Sequence, residues 1–213
     1  AQKNHEAVEL MQSAIDAFEP MFRAHVRESI VASRRARHDA VDLDTLPVAV
    51  GFVDLSGYTS MAEQIDPDEL LRAVLDFESA AYDIVAECGG RVVKMIGDEV
   101  MFTTIVAEGA CDIAAGLVRT ITSHDDARPR GGVAFGNVIA HGGDLYGATV
   151  NRASRMADTA IPGEVLVDAE VVSRSGSKRF EPAGRRQLKG LRRPVPLWSL
   201  DVSAAGRPGT PTA

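Results

Sequence analysis

The chain has 213 residues, 45% apolar and 25% charged, with a formal net charge of −7; this is the make-up of a globular protein with one sizeable core and an appendage. So acidic a balance argues against a general nucleic-acid partner. Cys88 and Cys111, both in apolar, helix-like contexts, are too few for a disulfide framework and fit a reducing, cytoplasmic compartment. No secretory leader is expected. The longest apolar run, 46–53, is far short of the roughly 20 residues of a membrane span, so none is expected.

Taken in order, Val8, Met11, Ile15 and Phe18 follow the three-then-four spacing of an amphipathic helix. Pro20 interrupts it and suits the first turn of a second helix with Phe22, Val26 and Ile30. Residues 1–46 therefore read as a helical segment and a polar, proline-ended linker. Next, an apolar strand from Val48 runs into Asp54. Ser56, Gly57, Tyr58 and Thr59 follow as a turn before a helix, a geometry whose free backbone N–H groups suit phosphate. The helix over 67–87 has Asp66 as cap, Pro67 at its first position and Glu69 to complete a capping box. Its buried face is Leu70, Val74, Phe77, Ala81 and Ile84, and Gly89-Gly90 ends it.

RVVKMIGDEVMF, residues 91–102, is the most informative stretch. Two apolar runs flank Gly97-Asp98, which is a hairpin signature because glycine accepts the positive φ of a tight turn. Strict alternation puts Val92, Lys94 and Ile96 on one face, and Val93 and Met95 on the other. A mid-strand lysine is costly without a partner.

A third helix over 108–121 turns Ile113, Leu117 and Ile121 inward. Residues 131–140 form a strand, Asp144 stands at a strand or loop end, and Gly147 turns the chain into a helix over 148–158. On that helix Asn151 and Arg155, four apart, project from one face. Short strands at 164–167 and 194–202 close the domain, and 203–213 has the composition of a disordered tail. Strands interleaved with helices around a hairpin predict an α/β (α+β) fold of the ferredoxin-like βαββαβ sandwich type over 47–202.

Five stations in register over 48–201 resemble the class III nucleotidyl cyclase catalytic domain. FVDLSGYT resembles the loop carrying the family's first metal aspartate, Asp54, with the Leu55 carbonyl beside it, and KMIGDEVMF the hairpin carrying the second, Asp98. The family's adenine-reading pair falls on Lys94 and Asp144, and its N-x-x-x-R helix motif on Asn151 and Arg155. The resemblance implies two Mg²⁺ or Mn²⁺ ions per active site, ATP as substrate, cyclic AMP and pyrophosphate as products, and phosphates cradled by Ser56, Gly57, Tyr58 and Thr59. It also implies a homodimer in which one copy supplies the metal aspartates and the other Lys94, Asp144, Asn151 and Arg155. Lys189, Arg192 or a merely solvated basic face remain open for the terminal phosphates. The alternatives are a catalytically silent cyclase-like dimerisation module and a guanylate cyclase. GGDL at 142–145 superficially resembles a diguanylate cyclase signature, but sits late rather than in the central hairpin.

Overall fold

The computed structural model describes residues 45–55, 66–120, 128–176 and 179–203. All belong to the second of two compact units, 1–43 and 44–213. The expected N-terminal helices, and the tail past Ser203, lie outside the described residues.

The described elements run β1 (Thr45–Leu55), α1 (Pro67–Glu87), β2 (Arg91–Ile96), β3 (Glu99–Thr104), α2 (Ala107–Thr120), β4 (Pro129–His141), β5 (Asp144–Tyr146), α3 (Ala148–Thr159), β6 (Val165–Val167), α4 (Ala169–Arg174), β7 (Phe180–Arg186) and β8 (Val195–Leu200). The sheet order is β2-β3-β1-β4-β6-β8-β7, with β5 paired to β4. Because β1 runs antiparallel to both β3 and β4, β2-β3-β1-β4 with its crossovers α1 and α2 is the expected ferredoxin-like sandwich. The short β5, α4 and β7 were not foreseen. Among the described residues no helix is long and apolar enough to cross a membrane.

Alternation along β1 separates two cores. Ala49, Val53 and Leu55 face one side, where Phe77, Ala81 and Val85 of α1, Ile113 and Leu117 of α2 and Val171 of α4 are buried. Val48, Val50 and Phe52 face the other, against Ala153, Met156 and Ala157 of α3. α1 begins with the expected cap and proline: Asp66 accepts from an amide and Pro67 occupies the first turn, where no amide is needed. The cap bond, however, comes from the Asp68 amide at 2.9 Å and not from that of Glu69, as a capping box would have it.

One expectation about β2 is overturned. The β2–β3 register slips between Val92 and Lys94, a β-bulge at Val93. A bulge sends two successive side chains toward one side. Val92 and Met95 therefore pack on the α1 and α2 side, whereas Val93 packs on the α3 side. Lys94, opposite Met101, shares that α3 side and not the face of Val92.

Candidate active site

Asp54 stands near the end of β1, directly opposite Glu99 on β3 and Arg130 on β4. Opposed residues of antiparallel strands share a face. Here it is the α3 face, because Phe52, Met101 and Ala134, an even number of positions along, pack there. Sequence and topology thus build a row of acid, acid and arginine across three strands. Arg130 Nε and Nη2 donate to Asp54 Oδ2 at 3.2 and 3.1 Å. Its Nη1 donates to the carbonyls of Asp158 and Ala160 at the end of α3, at 3.0 and 3.4 Å.

Asp98 sits in the hairpin turn, where Gly97 has a φ of 64°. The Leu55 amide donates to the Asp98 carbonyl at 3.2 Å, pinning the tip to the end of β1. Burial pushes the Asp98 carboxyl above its usual range, and Asp54 adds to this while Arg130 opposes it. Glu99 goes further: burial, then Asp54, Asp158 and Asp98, push its carboxyl up to about 7 against the pull of Arg130. The cluster is thus rich in carboxylate oxygen and short of positive charge.

Lys94 and Asp144, 50 residues apart, meet: Nζ donates to Oδ2 at 2.5 Å. The second Asp144 oxygen accepts from the Leu145 amide at 2.8 Å. Lys94 holds the Asp144 carboxyl below the usual range. A turn with positive φ at Gly142 and Gly143 brings Asp144 back opposite His141.

On α3, Asn151 is exposed and Arg155 half-buried. The helix lies directly on β4, where a Cβ at Gly132 would fall 2.4 Å from the Ala153 carbonyl oxygen and the Ala157 nitrogen. Thr149 Oγ1 donates to the Asn137 carbonyl at 2.9 Å. Two arginines hold the last carbonyls, Arg130 as above and Arg186 at Thr159, the favourable place for cations on a helix. Arg155 makes no hydrogen bond or ion pair through its side chain among the described residues, so it does not pair with Asp158. Its guanidinium lies instead against Gly190 (φ 76°), where a Cβ would sit 3.3 Å from Nη2. The turn bearing Lys189 and Arg192 is therefore beside Arg155.

Lys94 and Asp144 are brought together, and Asp54, Leu55 and Asp98 are neighbours. Among the described residues, no side-chain hydrogen bond joins either group to the other, or to Asn151 or Arg155. Ser56, Gly57, Tyr58 and Thr59 lie outside the described residues. Arg130 was missed, and so was the ionisation of Glu99.

Among the described residues there is no group of three or more His, Cys, Asp or Glu poised as a complete metal cage. The donors nonetheless fit Mg²⁺ or Mn²⁺. Both are hard cations, and Mg²⁺ takes one or two carboxylates and completes its shell with substrate phosphates and water. Asp54 already holds a cationic group, the Arg130 guanidinium.

The profile of the adenylate and guanylate cyclase catalytic domain matches residues 43–201. An adenylate cyclase of Streptomyces coelicolor is 42% identical over 138 residues, 64% of this chain and 36% of that protein. One from Glutamicibacter nicotianae is 41% identical over 57% of this chain and 30% of its own length. The chain thus spans about a third of these curated relatives. Of solved structures, the adenylyl cyclase CyaB from P. aeruginosa superposes with a TM-score of 0.64 at 22% identity, covering 74% of this chain and 96% of that one. The guanylyl cyclase Cya2 gives 0.63 at 21%, covering 74% and 92%.

Proposed function

Because this chain belongs to the adenylate and guanylate cyclase catalytic domain family, we propose that it converts ATP to 3′,5′-cyclic AMP and pyrophosphate at sites shared between two copies. The observation that carries the choice of base is the 2.5 Å pair of Lys94 and Asp144. A fold similar to both adenylyl and guanylyl cyclases does not discriminate between purines. An ammonium beside a carboxylate does: the first donates to an adenine ring nitrogen, the second accepts from the exocyclic amine. Guanine reverses that pattern and leaves both groups unpaired, a mismatch worth on the order of 10⁴ in selectivity. The relatives above 40% identity are named adenylate cyclases, which supports the same reading.

Asp54, Asp98 and the Leu55 carbonyl would hold the divalent cations. These supply neutralisation of the triphosphate and a lowered pKa for the ribose 3′-hydroxyl. The Asp54 charge pushes the Asp98 carboxyl up, a repulsion that a bound divalent cation would relieve. In the reaction the 3′-hydroxyl gives up its proton to solvent water, the 3′-oxygen attacks the α-phosphorus, the bond from that phosphorus to the bridging oxygen breaks, and pyrophosphate leaves with the electron pair. Arg155, whose guanidinium has no hydrogen-bond or ion-pair partner among the described residues, meets charge developing on the α-phosphoryl group, and Asn151 orients the ribose. The adjoining turn offers Lys189 and Arg192 to the outer phosphates.

Lys94 and Asp98 are four residues apart on one hairpin, yet each belongs to a different side-chain cluster. A symmetric homodimer reconciles this, with Asp54 and Asp98 of one copy facing Lys94, Asp144, Asn151 and Arg155 of the other, and two equivalent sites. The test is cyclic AMP formation from ATP with Mn²⁺ by the purified chain, with Asp54→Ala as control. Product well above that control supports the reading. None above it favours the catalytically silent module, and preferential cyclic GMP from GTP overturns the base assignment.

A further inference from the structure

We infer that the Arg152–Asp168 ion pair is a positioning device for catalysis, fixing the rotation of α3 so that Asn151 and Arg155 are presented correctly. This rests on the reading of α3 as the helix that carries those two groups.

Asp168 is 4% exposed and sits where three elements converge. It caps α4, with Oδ1 accepting from Val171 N at 3.0 Å and from Phe135 N of β4 at 3.4 Å. Its own amide donates to the Val133 carbonyl at 3.3 Å. That leaves Oδ2 for one bond from outside the sheet, and it comes from Arg152 Nη1 at 3.0 Å. Burial pushes the Asp168 carboxyl up, opposed by the Val171 amide and by Arg152. Such a site tolerates a carboxylate only while the arginine stays in place.

Capping α4 requires a short polar side chain at position 168, but nothing about the cap requires an arginine at 152. Arg152 follows Asn151 directly in the chain and lies about 100° around the helix from it. α3 lies on β4 at Gly132, where its backbone would touch a Cβ, buries Ala153, Met156 and Ala157 against β1 and β4, and is tied by Thr149 to Asn137 and by Arg130 at its last carbonyls. These contacts lie on the sheet side and at the helix ends, so rotation about the helix axis is opposed by them and, on the flank toward α4, by Arg152. A bond from Arg152 to a carboxylate fixed to β4 and α4 restrains that rotation. A turn of α3 by a few degrees carries the far end of Arg155 by a sizeable fraction of an ångström, the scale on which orientation matters to rate.

The test uses the whole chain. Arg152→Met should lower kcat on the order of tenfold with KM for ATP unchanged. Arg152→Lys should recover most of the loss. Asp168→Asn, which keeps an oxygen for both amides, should lower kcat similarly, and the double variant should be no worse than either single one. Asp112→Asn, which breaks the ion pair to Arg179 away from α3, should lower the melting temperature but not kcat. Wild-type kcat in folded Arg152→Met and Asp168→Asn overturns the proposal, as does an effect confined to KM or an equal kcat loss in Asp112→Asn. If Asn151→Ala and Arg155→Ala themselves keep wild-type turnover, the reading of α3 falls first, and the two failures are told apart.

Discussion

Gly132→Ala probes how tightly the catalytic helix must sit. A Cβ at this position would lie 2.4 Å from the Ala153 oxygen and the Ala157 nitrogen, and 2.7 Å from the Met156 Cβ. Ordinary contact begins at 3.4 Å, so the backbone of α3 must lift by about 1.0 Å, the difference between 3.4 and 2.4. Neither side has a flexible chain end that can move aside, since the clash is with helix backbone. Overpacking of this kind costs about 1–3 kcal/mol, or a melting temperature lower by roughly 2–12 °C for a chain of this size. The effect on rate is larger in proportion, because a displacement of about 1 Å costs on the order of 10². The assays are kcat from cyclic AMP formation and thermal melting by circular dichroism. Gly184→Ala serves as control, as its φ of 78° imposes comparable strain while nothing lies within 4 Å of the new Cβ. A folded Gly132→Ala protein whose kcat stays within about threefold of wild type refutes the reasoning.

Arg155→Ala removes a guanidinium poised for developing charge and should lower kcat on the order of 10²–10³, with thermal stability nearly unchanged; equal turnover would dismiss the assignment. Asp144→Ala should reduce the preference for ATP over GTP, read as the ratio of kcat/KM values, by a factor on the order of 10²–10⁴. Glu99 governs a pH effect on stability. Its carboxyl, held up to about 7, keeps in the folded state a proton that the unfolded chain releases near 4.5. Relative stability is therefore fully present below about 4.5, falls as pH rises through about 7, and then levels off. Glu99→Gln should accordingly be more thermostable than wild type at pH 8, with the advantage shrinking toward pH 5. An advantage that does not vary with pH contradicts this.

Local chemistry made much of this fold legible. Gly97-Asp98 between β-rich runs announced the hairpin, and Asp66-Pro67 announced the start of α1, because turn and cap preferences act within a few residues. The bulge at Val93 was invisible: VVKMI alternates equally well with or without it, and only pairing to β3 displays the slip. Arg130 was missed for a similar reason. Read alone, ARPRGG is a polar loop, and the arginine acquires meaning only from the β1–β4 register that sets it opposite Asp54. The alternation of Arg130 with the small Gly132 and Ala134 was the available clue. β7 escaped because its exposed edge carries little apolar alternation and its register slips between Pro182 and Gly184. Lys94 and Asp144 were paired through the family resemblance; nothing in their spacing of 50 residues suggests contact.

Mixing two inactive variants asks most directly whether two copies build one site. Asp54→Ala and Arg155→Ala proteins, each inert alone, should regain roughly a quarter of wild-type cyclic AMP formation when combined, since half of randomly assorted two-fold dimers are mixed and each mixed dimer keeps one intact site. A mixture as inert as its components would place the aspartate and the arginine of each site in the same copy and contradict the account.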